Sequence, residues 1–190
     1  MRYSIKPLLI ACAVLCLIET NGQALTIKGV TFPETVSIGG TNCTLVGAGL
    51  RKKLLINVYA GALYMSSPST NAATVITSDQ VKRIAIEFIY SEVTAEQLIE
   101  AWNDGFKANA GSSMAALKSK IDTFNGYFNE SARKGDTIVI SYIPGKGTEV
   151  AIKNRVRGVI EGKEFMQALF SIWFGPKPPT KGLKEGMLGD

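Results

Sequence analysis

Alternating apolar and polar positions predict a series of β-strands along this chain. The clearest case is 82–90, where Arg83 and Glu87 face one way and the apolar residues face the other: Ile84, Ile86, Phe88 and Tyr90. Shorter runs predict further strands at 25–38 (a pair around Pro33), 136–143, 149–153 and 155–160. The segment 144–147, which contains one proline and two glycines, is typical of the turn that joins two of these strands.

The segment 46–65 is predicted to be a glycine-rich turn at Gly47 and Gly49 followed by one long strand that ends near Met65. On that interpretation, one face of the strand carries a mixed set: Arg51, Lys53, Leu55, Asn57 and Tyr59. The other face is almost entirely apolar and is expected to face the core. A cation, an amide and a phenol on one side of a buried strand indicate a site for a negative or polar ligand group.

Between 94 and 128, and again from Lys163, the apolar period changes to about 3.6, which predicts helices. Thr94 and Gln97 form a capping box at the start of the first helix, which carries the stripe Leu98, Ile99, Trp102 and Phe106. Ser112 or Ser113 is expected to cap the second, whose stripe is Met114, Leu117, Ile121, Phe124 and Phe128. Gly175–Pro176 ends the third.

The order of these elements is strands, two helices, strands and one helix, with 66–78 predicted to be loop with room for one short strand. Runs of strands and of helices, rather than strict alternation, are typical of an α+β domain. We therefore expect helices laid on a mainly antiparallel sheet.

The first 24 residues predict a secretory signal rather than part of the fold. They combine a basic start, an apolar stretch from Pro7 to Ile18, and small residues before an expected cleavage after Ala24. Leu9–Cys12 also has the residue types of a lipobox, although few apolar residues precede Cys12. The stretch is too short to span a bilayer. An exported protein, periplasmic or secreted, with one domain at 25–190 is therefore expected.

Composition removes several function classes. The chain has no histidine, which excludes histidine-based triads, histidine-ligated zinc and haem with an axial histidine. The net charge of +5 comes from scattered basic residues rather than a basic stripe with aromatics, so nucleic-acid binding is not expected. Cys43 alone remains after signal removal, which rules out an intrachain disulfide. No cofactor or metal is expected.

Three stretches in order carry a family resemblance. The first is GAGLR at 47–51 followed by VYAGALY at 58–64, and the second is YSE at 90–92 before the helix with Trp102. The third is GVIEGKEF at 158–165 and ALFSIWFG at 168–175, followed by Pro178 and Leu183. Together they resemble the chalcone isomerase-like family, and the exported form is similar to its bacterial-type branch rather than to the plant flavonoid enzymes.

That resemblance implies an open-faced β-sandwich, in which a large antiparallel sheet and a helical layer enclose a ligand cleft. The plant enzymes cyclise a chalcone to a flavanone with the help of an arginine and a tyrosine. Related non-enzymatic members use the same pair to hold a fatty-acid carboxylate. The resemblance assigns these two roles to Arg51 and Tyr90, and it places Gln97 where the enzymes have an asparagine.

Two departures bear on catalysis. Tyr59 stands roughly where the enzymes carry a threonine, and Ile172 stands where they carry a serine or threonine. The prediction is therefore binding of a small amphipathic, anionic ligand by Arg51, Tyr59, Tyr90, Gln97 and Ile172, in a cleft that Ile86, Phe88 and Leu98 also wall. The alternatives are an active isomerase (an intramolecular lyase) with Arg51 and Tyr90 as catalytic residues, and a non-catalytic envelope interaction module whose cleft is filled.

Other interpretations stay open at this stage. Arg51 could instead reach solvent from a strand end, or pair with Glu34 or Glu87. The acidic row at 92, 96, 100 and 104 is typical of a solvated helix face, although such carboxylates could also bind a cation. Asn42 and Asn129 fit the glycosylation pattern, which matters only for a eukaryotic source.

Overall fold

The computed structural model describes residues 24–190. Its strands are β1 (Leu25–Ile27), β2 (Val30–Phe32), β3 (Thr35–Ile38), β4 (Thr41–Lys53), β5 (Ile56–Met65), β6 (Lys82–Phe88), β7 (Glu92–Val93), β8 (Ala132–Arg133), β9 (Thr137–Ile143), β10 (Gly147–Ile152) and β11 (Arg155–Ile160). Its helices are α1 (Ala72–Thr77), α2 (Ala95–Asn109), α3 (Met114–Gly126), α4 (Lys163–Phe174) and α5 (Lys181–Met187). The predicted signal and the lipobox cysteine Cys12 lie outside the described residues.

Seven strands form one antiparallel sheet in the order β11-β10-β9-β6-β5-β4-β3. Two small antiparallel ribbons, β1–β2 and β7–β8, accompany it. The α+β prediction, with a mainly antiparallel sheet covered by helices, is therefore confirmed. Within residues 24–190, no helix is both long enough and apolar enough to cross a bilayer.

Strand β5, an inner strand of the sheet, is buried on both faces. Its residues Tyr59, Leu63 and Met65 belong to the large core that the sheet forms with the helices. Ala60, Ala62 and Tyr64 face the other way, into a smaller cluster with Val30 and Phe32 of β2. A strand covered on both sides needs apolar residues throughout, which explains why the second half of the 46–65 segment is continuously apolar.

The prediction of one strand after a glycine turn is wrong. Gly47 and Gly49 lie inside β4, and the chain reverses at Leu54–Leu55 before β5 begins. The glycines are there because α5 crosses β4 closely: a Cβ on Gly49 would lie 2.4 Å from the carbonyl oxygen of Leu183. A Cβ on Gly47 would meet the carbonyl oxygen of Gly186 at the same distance.

Two short helices were not predicted. Segment 66–78 contains α1, whose first turn is capped by the Asn71 side chain, which accepts a hydrogen bond from Thr74 N at 3.0 Å. The C-terminal α5 begins at the cap Thr180. Helices of this length are marginal without tertiary contacts, so local sequence patterns do not identify them.

Lys82 of β6 supports α1 from inside the protein. The side chain is fully buried, and its ammonium donates to the carbonyl oxygens of Val75 (2.5 Å) and Ser78 (2.9 Å) at the end of α1. It also lies 5.1 Å from the centroid of the Phe170 ring in α4. The pKa of Lys82 is lowered to about 8, chiefly by burial and also by the charge of nearby Lys163, while Asp79 acts in the opposite direction. A buried cation thus satisfies carbonyls that α1 leaves unpaired.

Candidate functional site

A cavity of about 680 Å³ opens between the β4–β5 end of the sheet and helix α2. Its wall combines apolar side chains with a few polar groups, which is typical of small-molecule sites. The apolar part is formed by Val58, Phe88, Val93, Leu98, Ala101, Trp102 and Ile172, and Pro178 and Pro179 lie at one side. All five residues predicted to bind the ligand line it: Arg51, Tyr59, Tyr90, Gln97 and Ile172.

Arg51 lies near the end of β4, directly opposite Tyr59 of β5 in the strand register. Its guanidinium carbon is 5.6 Å from the centroid of the Tyr59 ring. Among residues 24–190 it makes no ion pair, so the alternatives in which Glu34 or Glu87 neutralises it are wrong. A half-buried arginine in a cavity wall, with no carboxylate of residues 24–190 at ion-pair distance, is suited to an anionic ligand group.

The hydroxyl group of Tyr59 is held in place by a residue of α4. The hydroxyl accepts a hydrogen bond from Trp173 Nε1 at 3.0 Å, and the ring packs edge-on against Phe88. Burial raises the pKa of Tyr59, while the Arg51 charge and the Trp173 hydrogen bond act in the opposite direction. The Tyr59 phenol is therefore neutral near pH 7. Because the Trp173 hydrogen bond uses only a lone pair of the Tyr59 oxygen, the Tyr59 hydroxyl proton is available for donation.

A β-bulge at Val58 explains why two consecutive residues of β5 line the cavity. Arg51 pairs with Tyr59, whereas the next residue, Lys52, pairs with Asn57, so Val58 is an extra residue on β5. Bulges redirect side chains and are common beside functional sites. Here the bulge brings Val58 to the same cavity wall as Tyr59, although strict alternation assigns it to the opposite face.

Tyr90 and Gln97 lie on the exposed side of the cavity. Tyr90 follows β6, is 41% exposed, and is held by a backbone hydrogen bond from its N to Val58 O at 3.1 Å. Gln97 Oε1 accepts from Thr94 N at 3.0 Å, which confirms the predicted capping box. Because the cap holds the oxygen toward the backbone, the amide N–H groups are the part of the Gln97 side chain best placed to bond a ligand.

Ile172 closes the inner end. It is 1% exposed, and a Cβ on Gly105 of α2 would lie 2.6 Å from its Cγ2 atom. The missing side chain of Gly105 therefore lets α4 approach α2 at the cavity. The expectation that Ile86 walls the cavity is wrong: Ile86 belongs to the core beneath the sheet and is absent from the lining.

Several lining residues were missed from sequence. Trp102 was assigned to the core only, yet it is both 4% exposed and part of the cavity wall. Lys53, Leu54 and Ile56 line the opening at the hairpin, and Lys177 lies in the segment after α4. One sequence signal did point to close helix packing at this wall. Gly105 is a lone glycine within a strongly helical pattern, and such glycines often have a packing role.

The arrangement combines a cation, hydrogen-bond donors and apolar walls in one cavity. Two exposed carboxylates, Glu100 and Asp104, lie on its α2 side. No cluster of metal-ligating side chains occurs within 24–190. The chemistry available on the sheet side is electrostatic and hydrogen-bonding recognition of a negatively charged group, next to a surface that accommodates hydrocarbon.

Comparisons with known proteins agree with this fold. A family described as chalcone isomerase-like matches residues 24–189. The crystal structure of a fatty-acid binding protein of Arabidopsis thaliana resembles the chain with a TM-score of 0.70 and 20% identity, over 87% of this chain and 96% of that one. No curated protein matches the chain in sequence. The chain belongs to the chalcone isomerase-like family.

Proposed function

We propose that this protein binds a small amphipathic carboxylic acid of the fatty-acid type in the cavity between sheet and helices. The observation that carries the proposal is Arg51: a half-buried cation with no ion-pair partner among residues 24–190, beside a neutral phenol and an apolar wall. Arg51 pairs with the carboxylate, and Tyr59 donates a hydrogen bond to it.

The remaining lining fits the rest of such a ligand. Tyr90 and the Gln97 amide provide further hydrogen bonds, while Phe88, Leu98 and Ile172 contact the hydrocarbon. The cavity of about 680 Å³ lies within the range of roughly 300–1,000 Å³ that small-molecule sites occupy. The fatty-acid binding protein of the same fold supports this ligand class.

Isomerase activity is the second candidate. Arg51 beside Tyr59 could stabilise negative charge that develops on an enone oxygen. Against it, Tyr59 and Ile172 stand where the resemblance places small hydroxyl residues in the enzymes, and Ile172 has no hydroxyl at all. The interaction-module alternative requires a filled cleft, and an open cavity of this volume argues against it.

The test is binding of palmitate to delipidated protein, measured by titration calorimetry in the absence of membranes. Arg51→Ala is expected to weaken binding at least about tenfold, because the carboxylate loses a charge-assisted partner in a partly dry site. Arg51→Lys should retain part of the affinity. Arg155→Ala is the matched control, since Arg155 is exposed and does not line the cavity.

Unchanged palmitate affinity in Arg51→Ala, with a folded protein by thermal unfolding, would contradict the binding role. Conversion of a hydroxychalcone by the wild type, abolished in Arg51→Ala, would instead establish the isomerase candidate. These two readouts separate the hypotheses because the first measures affinity without turnover.

We also propose that the protein acts after export, on the basis of the signal-like segment at 1–24. Cleavage after Ala24 predicts a mature chain that begins at Leu25. Intact-mass measurement of the protein from its native host checks this, and a cytoplasmic chain that begins at Met1 would contradict it.

A further inference from the structure

The β4–β5 hairpin ends in an apolar tip that nothing in the described structure covers. Leu54 is 92% exposed, Leu55 is 98% exposed and Ile56 is 45% exposed. Single exposed apolar residues are ordinary on protein surfaces, but three in succession at a projecting loop call for an explanation. Leu54 and Leu55 contribute almost nothing to the folded core.

The tip is also unfavourable as a turn. Leu54 has a backbone φ of +56°, a conformation that a branched side chain rarely adopts. Among the described residues, the three other two-residue hairpin loops are Lys28–Gly29, Gly39–Gly40 and Lys153–Asn154, which consist of polar residues and glycine and contain the residues suited to positive φ. The leucines therefore add strain and expose apolar surface without any gain in packing, a combination that points to function.

Basic residues adjoin the leucines. Lys52 and Lys53 are exposed, and within 24–190 neither forms an ion pair. The other basic hairpin of the sheet differs, because Lys153 and Arg157 are ion-paired with Glu130. In the part of the chain that the structure describes, only the β4–β5 tip has unpaired lysines beside almost fully exposed leucines.

We propose that this tip, residues 52–56, docks the protein on a lipid bilayer that contains anionic lipid. Leucine side chains at the tip can enter the boundary between headgroups and acyl chains, while lysine stems leave their charges at the headgroup level. A bilayer accepts so small an apolar tip, whereas a stable protein interface needs a larger buried patch.

The tip is continuous with the cavity. Lys53, Leu54 and Ile56 line its opening, so docking brings the opening to the membrane surface. On the α2 side the cavity carries Glu100 and Asp104, which favours approach of an anionic bilayer from the hairpin side. The docking itself does not require the proposed function, but together they imply transfer of the acid between bilayer and cavity.

The experiment is cosedimentation of ligand-free protein with vesicles of phosphatidylcholine containing phosphatidylglycerol. The double variant Leu54→Gly/Leu55→Asn places glycine at the positive φ and a polar residue at the tip. Its partition coefficient is expected to fall at least about tenfold, because both leucines lose their apolar contact with lipid. Its thermal stability should match or exceed that of wild type, since the turn strain is relieved.

Val156→Asn is the matched control, because Val156 is 61% exposed and lies beside the ion-paired basic hairpin. Wild type and variants share the same N-terminal residues, so their difference isolates the tip. Binding should also weaken in vesicles of phosphatidylcholine alone and at high salt.

Absence of wild-type binding to anionic vesicles, or equal binding by the double variant, would overturn the proposal, and so would an equal loss in Val156→Asn. The two proposals can fail independently. Palmitate titration without vesicles tests only the ligand site at Arg51, and sedimentation of ligand-free protein tests only the tip.

Discussion

At the residue scale, the candidate site depends on side chains whose polar atoms are only partly used. Tyr59 receives one hydrogen bond from Trp173 and retains its own proton, and Gln97 has committed its oxygen to the helix cap but not its amide nitrogen. Each side chain is held in position by one hydrogen bond and keeps a hydrogen-bond donor for a ligand. Fixed donors lose little freedom on binding, which favours affinity.

The buried ammonium of Lys82 predicts an unusual pH dependence of stability. Folding lowers its pKa from 10.5 to about 8, chiefly through burial. The unfolded chain therefore binds more protons than the folded one between these values, so the free energy of unfolding should rise with pH. The gain between about pH 8 and pH 10 is about 2 kcal/mol, because each pH unit across which the folded chain has lost the proton and the unfolded chain keeps it contributes about 1.4 kcal/mol.

Urea unfolding of wild type and Lys82→Met from pH 7 to 10 measures this effect as a difference in slope. Lys82→Met is expected to be less stable at every pH, since the α1 carbonyls lose their donor. The rise in stability between pH 8 and 10 that Lys82 causes should be absent from this variant. Above pH 10 the raised pKa values of Tyr64 and Tyr142, both about 12, reverse the trend in both proteins. Parallel curves between pH 8 and 10 would show that Lys82 does not titrate as described.

At the element scale, glycine residues in β4 allow α5 to pack closely against that strand. Gly49→Ala places a methyl group against the Leu183 carbonyl oxygen, where backbone cannot move aside cheaply. We expect a loss of about 1–3 kcal/mol, as for other overpacked sites. Chemical denaturation of the purified variant measures it.

Gly182→Ala is the matched control for that substitution. Gly182 lies in α5 itself, and a Cβ there meets nothing within 4 Å. Alanine should stabilise the helix by about 0.5–1 kcal/mol. If both alanine variants had the same stability, the close approach of β4 and α5 would not be the reason for glycine at 49.

At the scale of the whole molecule, sequence periodicity predicts the elements that are stable for local reasons. The capping box at Thr94 and the apolar stripe of α2 are properties of a contiguous segment, and they appear as expected. Helix α3 buries the predicted Leu117, Ile121 and Phe124, but its N-cap Ser113 makes no side-chain hydrogen bond and the helix ends at Gly126, before Phe128. Helices α1 and α5 depend instead on contacts outside their own segments, α1 on the buried side chain of Lys82 in β6 and α5 on the glycines of β4. No local pattern carries that information.

The sequence predicted which residues form the site, but not how those residues are arranged. Arg51 and Tyr59 were placed on one face as members of a single strand, eight positions apart. They do share a face, but as directly opposed residues of two strands that meet at the Leu54–Leu55 hairpin. A turn built from leucines contains none of the residues that normally mark a reversal, so the hairpin could not be found from sequence.

The extra residue at Val58 affects how relatives of this chain should be aligned. Because the ladder skips one position between Tyr59 and Asn57, deletion of Val58 alone would remove the bulge and leave both the Arg51–Tyr59 pair and the register of the hairpin intact. A relative that lacks the bulge is therefore aligned with its gap at Val58. A single insertion or deletion at this position can change the cavity wall, which Val58 lines, while strand pairing on either side is preserved.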